Sequence, residues 1–194
     1  SAMTWENLGY TGQGMRIAII DTGLDLDHPS FAVAPQLTED SLTQEEIASV
    51  LESLNAYDLY LSKSAVKLTA DVLYRSEKVP YGFNYVDRSL DVTHDNDYAG
   101  DHGTHVAGIA AANRYIPKED SYLRATDTVF VCGAAPDAQI ITLKVAGVGG
   151  GIAESDYMAA IEDAILLDCD AVNLSLGSNM PGEVYNNTSV YAEL

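Results

Sequence analysis

Met15-Arg16-Ile17-Ala18-Ile19-Ile20-Asp21-Thr22-Gly23 decides the fold of this 194-residue chain. The run before Asp21 is almost unbroken in its apolar character and rich in isoleucine. A strand with one wet face would alternate, so this one is read as covered on both faces, the mark of a parallel sheet between helical layers. It ends in Asp-Thr-Gly, and open α/β sheets place their chemistry at the carboxyl ends of such strands. Asp21 is therefore a candidate functional carboxylate, and equally a turn former that closes the strand.

Outward from that strand, the pattern repeats. Gln139-Ile140-Ile141-Thr142-Leu143-Lys144-Val145 reads as a further central strand, and Asp170 to Ser178 as another that runs into a small-residue end. Tyr81 to Asp87 alternates as a strand. Trp5 to Gly14 is turn-rich, punctuated by Gly9, Gly12 and Gly14. From about 35 to 78 the chain changes character. Thr43 with Glu46 three residues on has the capping-box spacing, and Ile47, Val50, Leu51 and Leu54 share one helical face. Leu59, Val66, Leu68, Val72 and Leu73 form a second, less regular stripe. This stretch is too short for a core of its own, so it is read as a helical insertion decorating one domain that spans 1–194. Ser155 is placed to cap a helix from Asp156 to Leu167 with Met158, Ile161, Ile165 and Leu166 buried, and Arg114 to Thr126 is polar and exposed. Strands alternating with helices predict an α/β fold with a mainly parallel central sheet and helices on both faces.

Asp101-His102-Gly103-Thr104-His105-Val106-Ala107-Gly108 carries the second chemical signal. Small residues through Ala112 predict a closely packed helix with His102 at its start, where the positive end of the helix dipole disfavours imidazolium and favours a neutral base. One histidine alone is more often structural than catalytic; the remaining motifs decide the matter.

Asp and Glu number 29 against 10 Lys and Arg, a formal charge of −19. Without a basic footprint, nucleic acid and anionic membrane are poor partners. No apolar run approaches the roughly 18 residues of a membrane span, and the first residues carry no basic and apolar leader. Cys132 and Cys169 sit in apolar contexts without CxxC spacing and are expected to be buried free thiols. No cofactor is required. Asp95, Asn96 and Asp97 offer calcium-type oxygen donors but lack the spacing of a calcium loop, so no metal site is assigned. Gly147 to Gly151 is not a phosphate loop, because no GKS or GKT follows.

Three motifs share one expected location: Asp21 after the first strand, His102 at the head of a helix, and Ser175-Leu176-Gly177 at the end of a later strand. In this order they resemble the subtilisin-like serine proteases. The segments Gly-Tyr-Thr-Gly-Gln-Gly, Ile-Ala-Ile-Ile-Asp-Thr-Gly, His-Gly-Thr-His-Val-Ala-Gly, Gly-Ala-Ala-Pro-Asp-Ala and Val-Asn-Leu-Ser-Leu-Gly spread the resemblance over nearly the whole chain. The insertion and the acidic approach to His102 are most similar to the bacterial cell-envelope, lactocepin-like group. The resemblance implies the subtilisin-like three-layer fold and a secreted or cell-envelope endopeptidase of a bacterium acting on a protein or peptide substrate. Asp21 would orient His102, which would serve as general base and then general acid. Ser175, Leu176 and Gly177 would pair with an extended substrate, with a strand edge at Gly149, Gly150 and Gly151 flanking its other side.

The chain departs from the family at the nucleophile. Neither Gly-Thr-Ser-Met-Ala nor the Gly-Asn segment of the oxyanion hole occurs in the sequence. Ser175 matches a pocket position, and Ser178 and Ser189 lack the setting that exposes a nucleophile. The expectation is an N-terminal part of a protease whose remainder carries the serine, inactive in isolation; the alternative is an inactive peptide-binding module. Asp-Thr-Gly also spells the turn of aspartic proteases, but no second such triplet exists. A metal hydrolase on Asp101, His102 and His105 lacks a glutamate base between the histidines.

Overall fold

The computed structural model describes residues 2–54, 68–93, 97, 98 and 100–177, apart from the side chains of 2–4 and 54. Along the chain run α1 (Ala2–Leu8), β1 (Arg16–Asp21), α2 (Gln44–Leu54), α3 (Ala70–Leu73), β2 (Tyr81–Asn84), α4 (His102–Ala111), β3 (Tyr115–Lys118), β4 (Ser121–Arg124), β5 (Gln139–Lys144), α5 (Glu154–Leu166) and β6 (Ala171–Asn173). A parallel sheet in the order β2-β5-β1-β6 forms the middle layer. The apolar run that predicted a doubly covered strand is β1, set between β5 and β6, with Ala18, Ile19 and Ile20 all buried.

Because successive side chains on a strand point to opposite faces, β1 and β5 feed two cores. Ala18, Ile20, Ile141 and Leu143 pack with Ile47 of α2, Leu73 of α3 and Ala160 and Ala164 of α5. Ile19 and Ile140 pack with Ala107 and Ala111 of α4, together with Leu24, Phe31 and Val79. Helices thus cover both faces, and α/β with a mainly parallel sheet is the observed class.

Polar side chains stitch the segment from Asp40 to Glu77 to the amino end of the sheet. Buried Arg16 donates to Asp40 O, Leu167 O and both carboxylate oxygens of Glu46 at 2.8 to 3.0 Å. Its register partner Gln139 clasps Leu42 through N–H and C=O and also donates to Glu77 O. Thr43 Oγ1 accepts from Glu46 N at 3.2 Å, so half of the predicted capping box forms. Its other half does not, because the Glu46 carboxylate is taken by Arg16. The chemistry is left to the opposite, carboxyl end.

Several local expectations are corrected. Residues 2–8 form a helix before the turn-rich stretch, closed by Gly9 at φ 73 with its N–H on Trp5 O, a left-handed C-terminal cap. The exposed segment after α4 is a hairpin of β3 and β4 turning at Glu119-Asp120, without the Asn-Gly or Asp-Gly pair that marks such turns in sequence. β2 stops at Asn84 and β6 at Asn173. Ser155 is not a cap: α5 starts two residues earlier than expected, at Glu154, with Ala153 in the capping position and no side-chain bond. Its buried face runs through Tyr157, Ala160, Asp163 and Ala164, while Ile165 and Leu166 are exposed. The small alanines let the helix lie close to the sheet, and bulk alone was a poor guide to its inner face. Cys132 and Cys169 are free, as expected, but only partly buried. Leu59 and Val66, the side chain of Leu54, Asp95, Asn96, Ser178 and Ser189 lie outside the described residues.

Candidate active site

Asp21 is the last residue of β1, 1% exposed. Its Oδ1 accepts hydrogen bonds from Thr22 N at 2.7 Å and from His102 Nδ1 at 2.7 Å, while Oδ2 is buried without a partner among the described residues. A carboxylate only accepts, so this contact puts a proton on Nδ1 and leaves Nε2 of a neutral imidazole with its lone pair. The His102 side chain is 48% exposed against 1% for Asp21. One nitrogen is held, and the ring is open to a reactant.

Two residues 81 positions apart meet because α4 begins almost against the end of β1. Gly103 permits this approach. A Cβ there would lie 2.3 Å from Gly23 O, 3.0 Å from Gly23 N and 3.2 Å from Asp21 Cβ. Gly23 in turn adopts φ 119, and a Cβ on it would meet Val92 O at 2.2 Å. The helix start is capped in trans. Asp101 makes no side-chain cap, whereas Thr22 Oγ1 accepts from Gly103 N at 2.9 Å and donates to Gly100 O at 3.2 Å. Thr104 Oγ1 reciprocates by accepting from Asp25 N at 2.9 Å. The strand end and the helix start therefore hold each other through two hydroxyls.

Lys144 stands beside Asp21 in the parallel register and is buried. Its Nζ donates to Thr22 O at 2.5 Å and to the buried Asp97 carboxylate. The acidic approach to His102 is thereby tied to the same turn, and Asp97 is committed to an ion pair. Among the described residues no group of three or more His, Cys, Asp or Glu is placed to hold a metal ion.

The other predicted site residues lie at the same edge of the sheet without closing on the dyad. β6 pairs with β1 through Asn173 opposite Ile19, so Ser175, Leu176 and Gly177 continue toward the level of Asp21 as unpaired chain, with Ser175 Oγ bonded to Asn173 Oδ1 at 2.8 Å. Gly149 to Gly151 are not a strand edge. Gly150 N bonds Gly147 O and Gly147 N bonds Gly151 O, making a turn with Gly150 at φ 75. Consecutive glycines favour a turn over an extended edge. The open cleft beside His102 is bordered instead by Asp25, His28, Phe31, Asp101, His105 and Val131. Reasoning from sequence missed Thr22 and Lys144. Thr22 had a local signal, since it adjoins Asp21; Lys144 had none, because only strand register brings it there.

The subtilase family profile matches residues 12–193. The chain is 31% identical over 195 aligned residues to the PI-type proteinase of Lactococcus lactis subsp. cremoris, covering 97% of this chain and 9% of that protein. It is 30% identical over 176 residues to the minor extracellular protease Vpr of Bacillus subtilis, covering 91% of this chain and 15% of that one. The structure of the Clostridium perfringens CspB protease matches 98% of this chain and 34% of its own with a TM-score of 0.50 at 20% identity, a likeness of fold. The chain thus spans about a tenth of the length of the first relatives, and over that span it belongs to the subtilase family.

Proposed function

We propose that this chain supplies the aspartate and histidine of an Asp-His-Ser relay in a bacterial serine endopeptidase of the cell envelope or extracellular space. The observation that carries this is the 2.7 Å contact between buried Asp21 and half-exposed His102 at the carboxyl end of the sheet. In this reading Asp21 fixes the Nδ1–H tautomer, and His102 Nε2 takes the proton of a serine hydroxyl as that oxygen attacks the scissile carbonyl. His102 then returns the proton to the leaving amine, and Asp21 stabilises the transient imidazolium. Ser175, Leu176 and Gly177 offer unpaired backbone to an extended peptide. The serine comes from outside these 194 residues, since no Gly-Thr-Ser-Met-Ala occurs in them. The lactococcal and Bacillus relatives support the location and the protein substrate.

The complete gene product tests this reading. It is expected to cleave protein substrates and to take up a serine-directed phosphonate, with Asp21→Asn lowering kcat by about 10⁴-fold. The 194-residue chain is expected to do neither. Phosphonate labelling of this chain at Ser175, or parent activity indifferent to His102→Ala, would overturn it. A complete product that binds peptide, hydrolyses none and takes up no phosphonate would be an inactive binding module.

A further inference from the structure

A second pocket, of about 280 Å³, lies at the far end of α4 from His102, walled by Trp5 of α1, by Arg114 and Tyr115, by Arg124 and Thr126, and by Cys132. Arg114 and Arg124 bracket the hairpin, whose register sets Tyr115 opposite Arg124. The chain has only 10 Lys and Arg against 29 acids, and among the described residues elsewhere several of its cations are committed to the fold. Arg16 joins α2 to the sheet, Lys78 donates to Pro136 O and Ala138 O, and Lys144 holds Thr22 and Asp97. Two guanidinium groups against one carboxylate, Glu6, leave the lining of this cavity net positive in a molecule of formal charge −19.

The two arginines are differently placed. Arg114 Nη2 donates to Asp137 Oδ2 at 2.5 Å, a contact that anchors the side chain and uses one of its five N–H groups. Arg124 makes no hydrogen bond or ion pair with the described residues, and it carries the uncompensated charge. Part of the lining is aromatic and tethered: Trp5 Nε1 donates to Ala134 O at 2.9 Å. Burial pushes the Cys132 thiol up, against the opposing pull of Arg114, so it stays protonated and adds no negative charge to the floor. Glu6, exposed as Arg124 is, also lines the pocket and brings one carboxylate to it.

We propose that this pocket is a binding site for an acidic peptide segment, one that presents a side-chain carboxylate next to an aromatic residue. Arg124 and the free N–H groups of Arg114 take the carboxylate through the planar, forked geometry that guanidinium offers. The neighbouring ring packs on Trp5 and Tyr115, contact that pays in buried area and ring geometry. The site is independent of the relay: it shares no residue with the Asp21–His102 dyad and lies about one ten-residue helix, roughly 15 Å, away from it.

Trp5 is the only tryptophan in the chain, so its fluorescence reports on this pocket alone. The chain is titrated with N-acetyl-Phe-Glu-amide and with the neutral isostere N-acetyl-Phe-Gln-amide at low and high salt. The expected result is a saturable change in Trp5 emission with the glutamate peptide, at least tenfold weaker with the glutamine peptide, weakened by salt and abolished by Arg124→Gln. Arg124→Lys, which keeps the charge and loses the fork, should bind at an intermediate level, and far-UV circular dichroism checks that both variants are folded. No saturable change, equal response to the two peptides, or binding that survives Arg124→Gln in a folded chain would each overturn the proposal.

Discussion

Replacing Gly103 by alanine tests whether the dyad depends on the close approach of α4 to the end of β1. The added Cβ would sit 2.3 Å from Gly23 O. Non-bonded carbon and oxygen atoms settle above about 3 Å, so the helix start must retreat by roughly 1 Å. The obstruction is backbone on a buried turn, which cannot swing aside as a side-chain tip can. The same retreat stretches the 2.7 Å contact of His102 Nδ1 with Asp21 Oδ1 past the hydrogen-bond limit and pulls Gly103 N off Thr22 Oγ1. Overpacking costs about 1–3 kcal/mol, and leaving a buried carboxylate short of a donor costs about 1–3 kcal/mol more. At about 2–4 °C per kcal/mol for a domain of this size, the melting temperature should fall by roughly 5–20 °C.

Gly108→Ala is the control within the same helix. Its Cβ would meet only Val131 Cγ2, at 3.9 Å, an ordinary contact. An alanine in a helix interior is worth about 0.8–1.0 kcal/mol over glycine, so this variant should melt higher. Proton NMR of the chain reads the dyad directly, through the downfield Nδ1–H resonance of His102. That resonance should vanish in Gly103→Ala and persist in Gly108→Ala. If Gly103→Ala keeps the resonance and melts within a degree of the parent chain, the close-approach reasoning is wrong. If the proposed relay operates in the complete gene product, a base displaced by about 1 Å should cost on the order of 10²-fold in kcat.

Burial pushes the Asp163 carboxyl from 3.8 up to about 7, with Tyr85 Oη donating to it at 2.5 Å. The unfolded chain therefore loses this proton first, and the Asp163 contribution to stability should fall as pH rises from about 4 to 7, by about 4 kcal/mol in all. Urea unfolding across that range should show the slope, and Asp163→Asn should flatten it; an unchanged slope refutes the assignment. Lys78 is lowered by burial from 10.5 to about 7, so its folded state disfavours the charged amine and stability should climb as pH rises from about 7 to 10.5. Lys78→Met should remove that climb, read in the same urea series. Lys144→Met strands the buried Asp97 carboxylate and should cost about 3–5 kcal/mol, with Lys144→Met/Asp97→Leu regaining most of it. A Lys144→Met chain as stable as the parent would show that the pair contributes nothing.

What could be read from sequence was whatever local pattern dictates. An isoleucine-rich run with no polar break required two covered faces, and β1 has them. A histidine followed by small residues required a tight helix start, and His102 opens α4. What could not be read depended on contacts distant in the chain. Arg16 is an ordinary strand-end arginine until α2 delivers Glu46 and α5 delivers Leu167 O. Of the apolar residues expected on the inner face of α5, Met158 and Ile161 pack against the core, whereas Ile165 and Leu166 face outward because small residues such as Ala164 set the helix-to-sheet distance. The glycines at 149 to 151 have no side chains to pattern, so nothing local separated a turn from a strand edge.

The two ends of the sheet are built on different principles. At the amino end, Arg16 and Gln139 use long side chains to capture an inserted segment through its carbonyls and one carboxylate. Such clasps tolerate change in what they hold, because they recognise mostly backbone. At the carboxyl end the contacts are short and have no slack: two glycines where a Cβ would strike backbone, two hydroxyls capping across the strand–helix junction, and a buried lysine pinning the turn from below. In the proposed relay a general base must be held within a fraction of an ångström of its orienting carboxylate, whereas the segment at the amino end need only stay attached. The residues that deliver that precision are Gly23, Gly103, Thr22, Thr104 and Lys144. In the proposed relay none of them performs chemistry, and each acts by fixing where Asp21 and His102 meet.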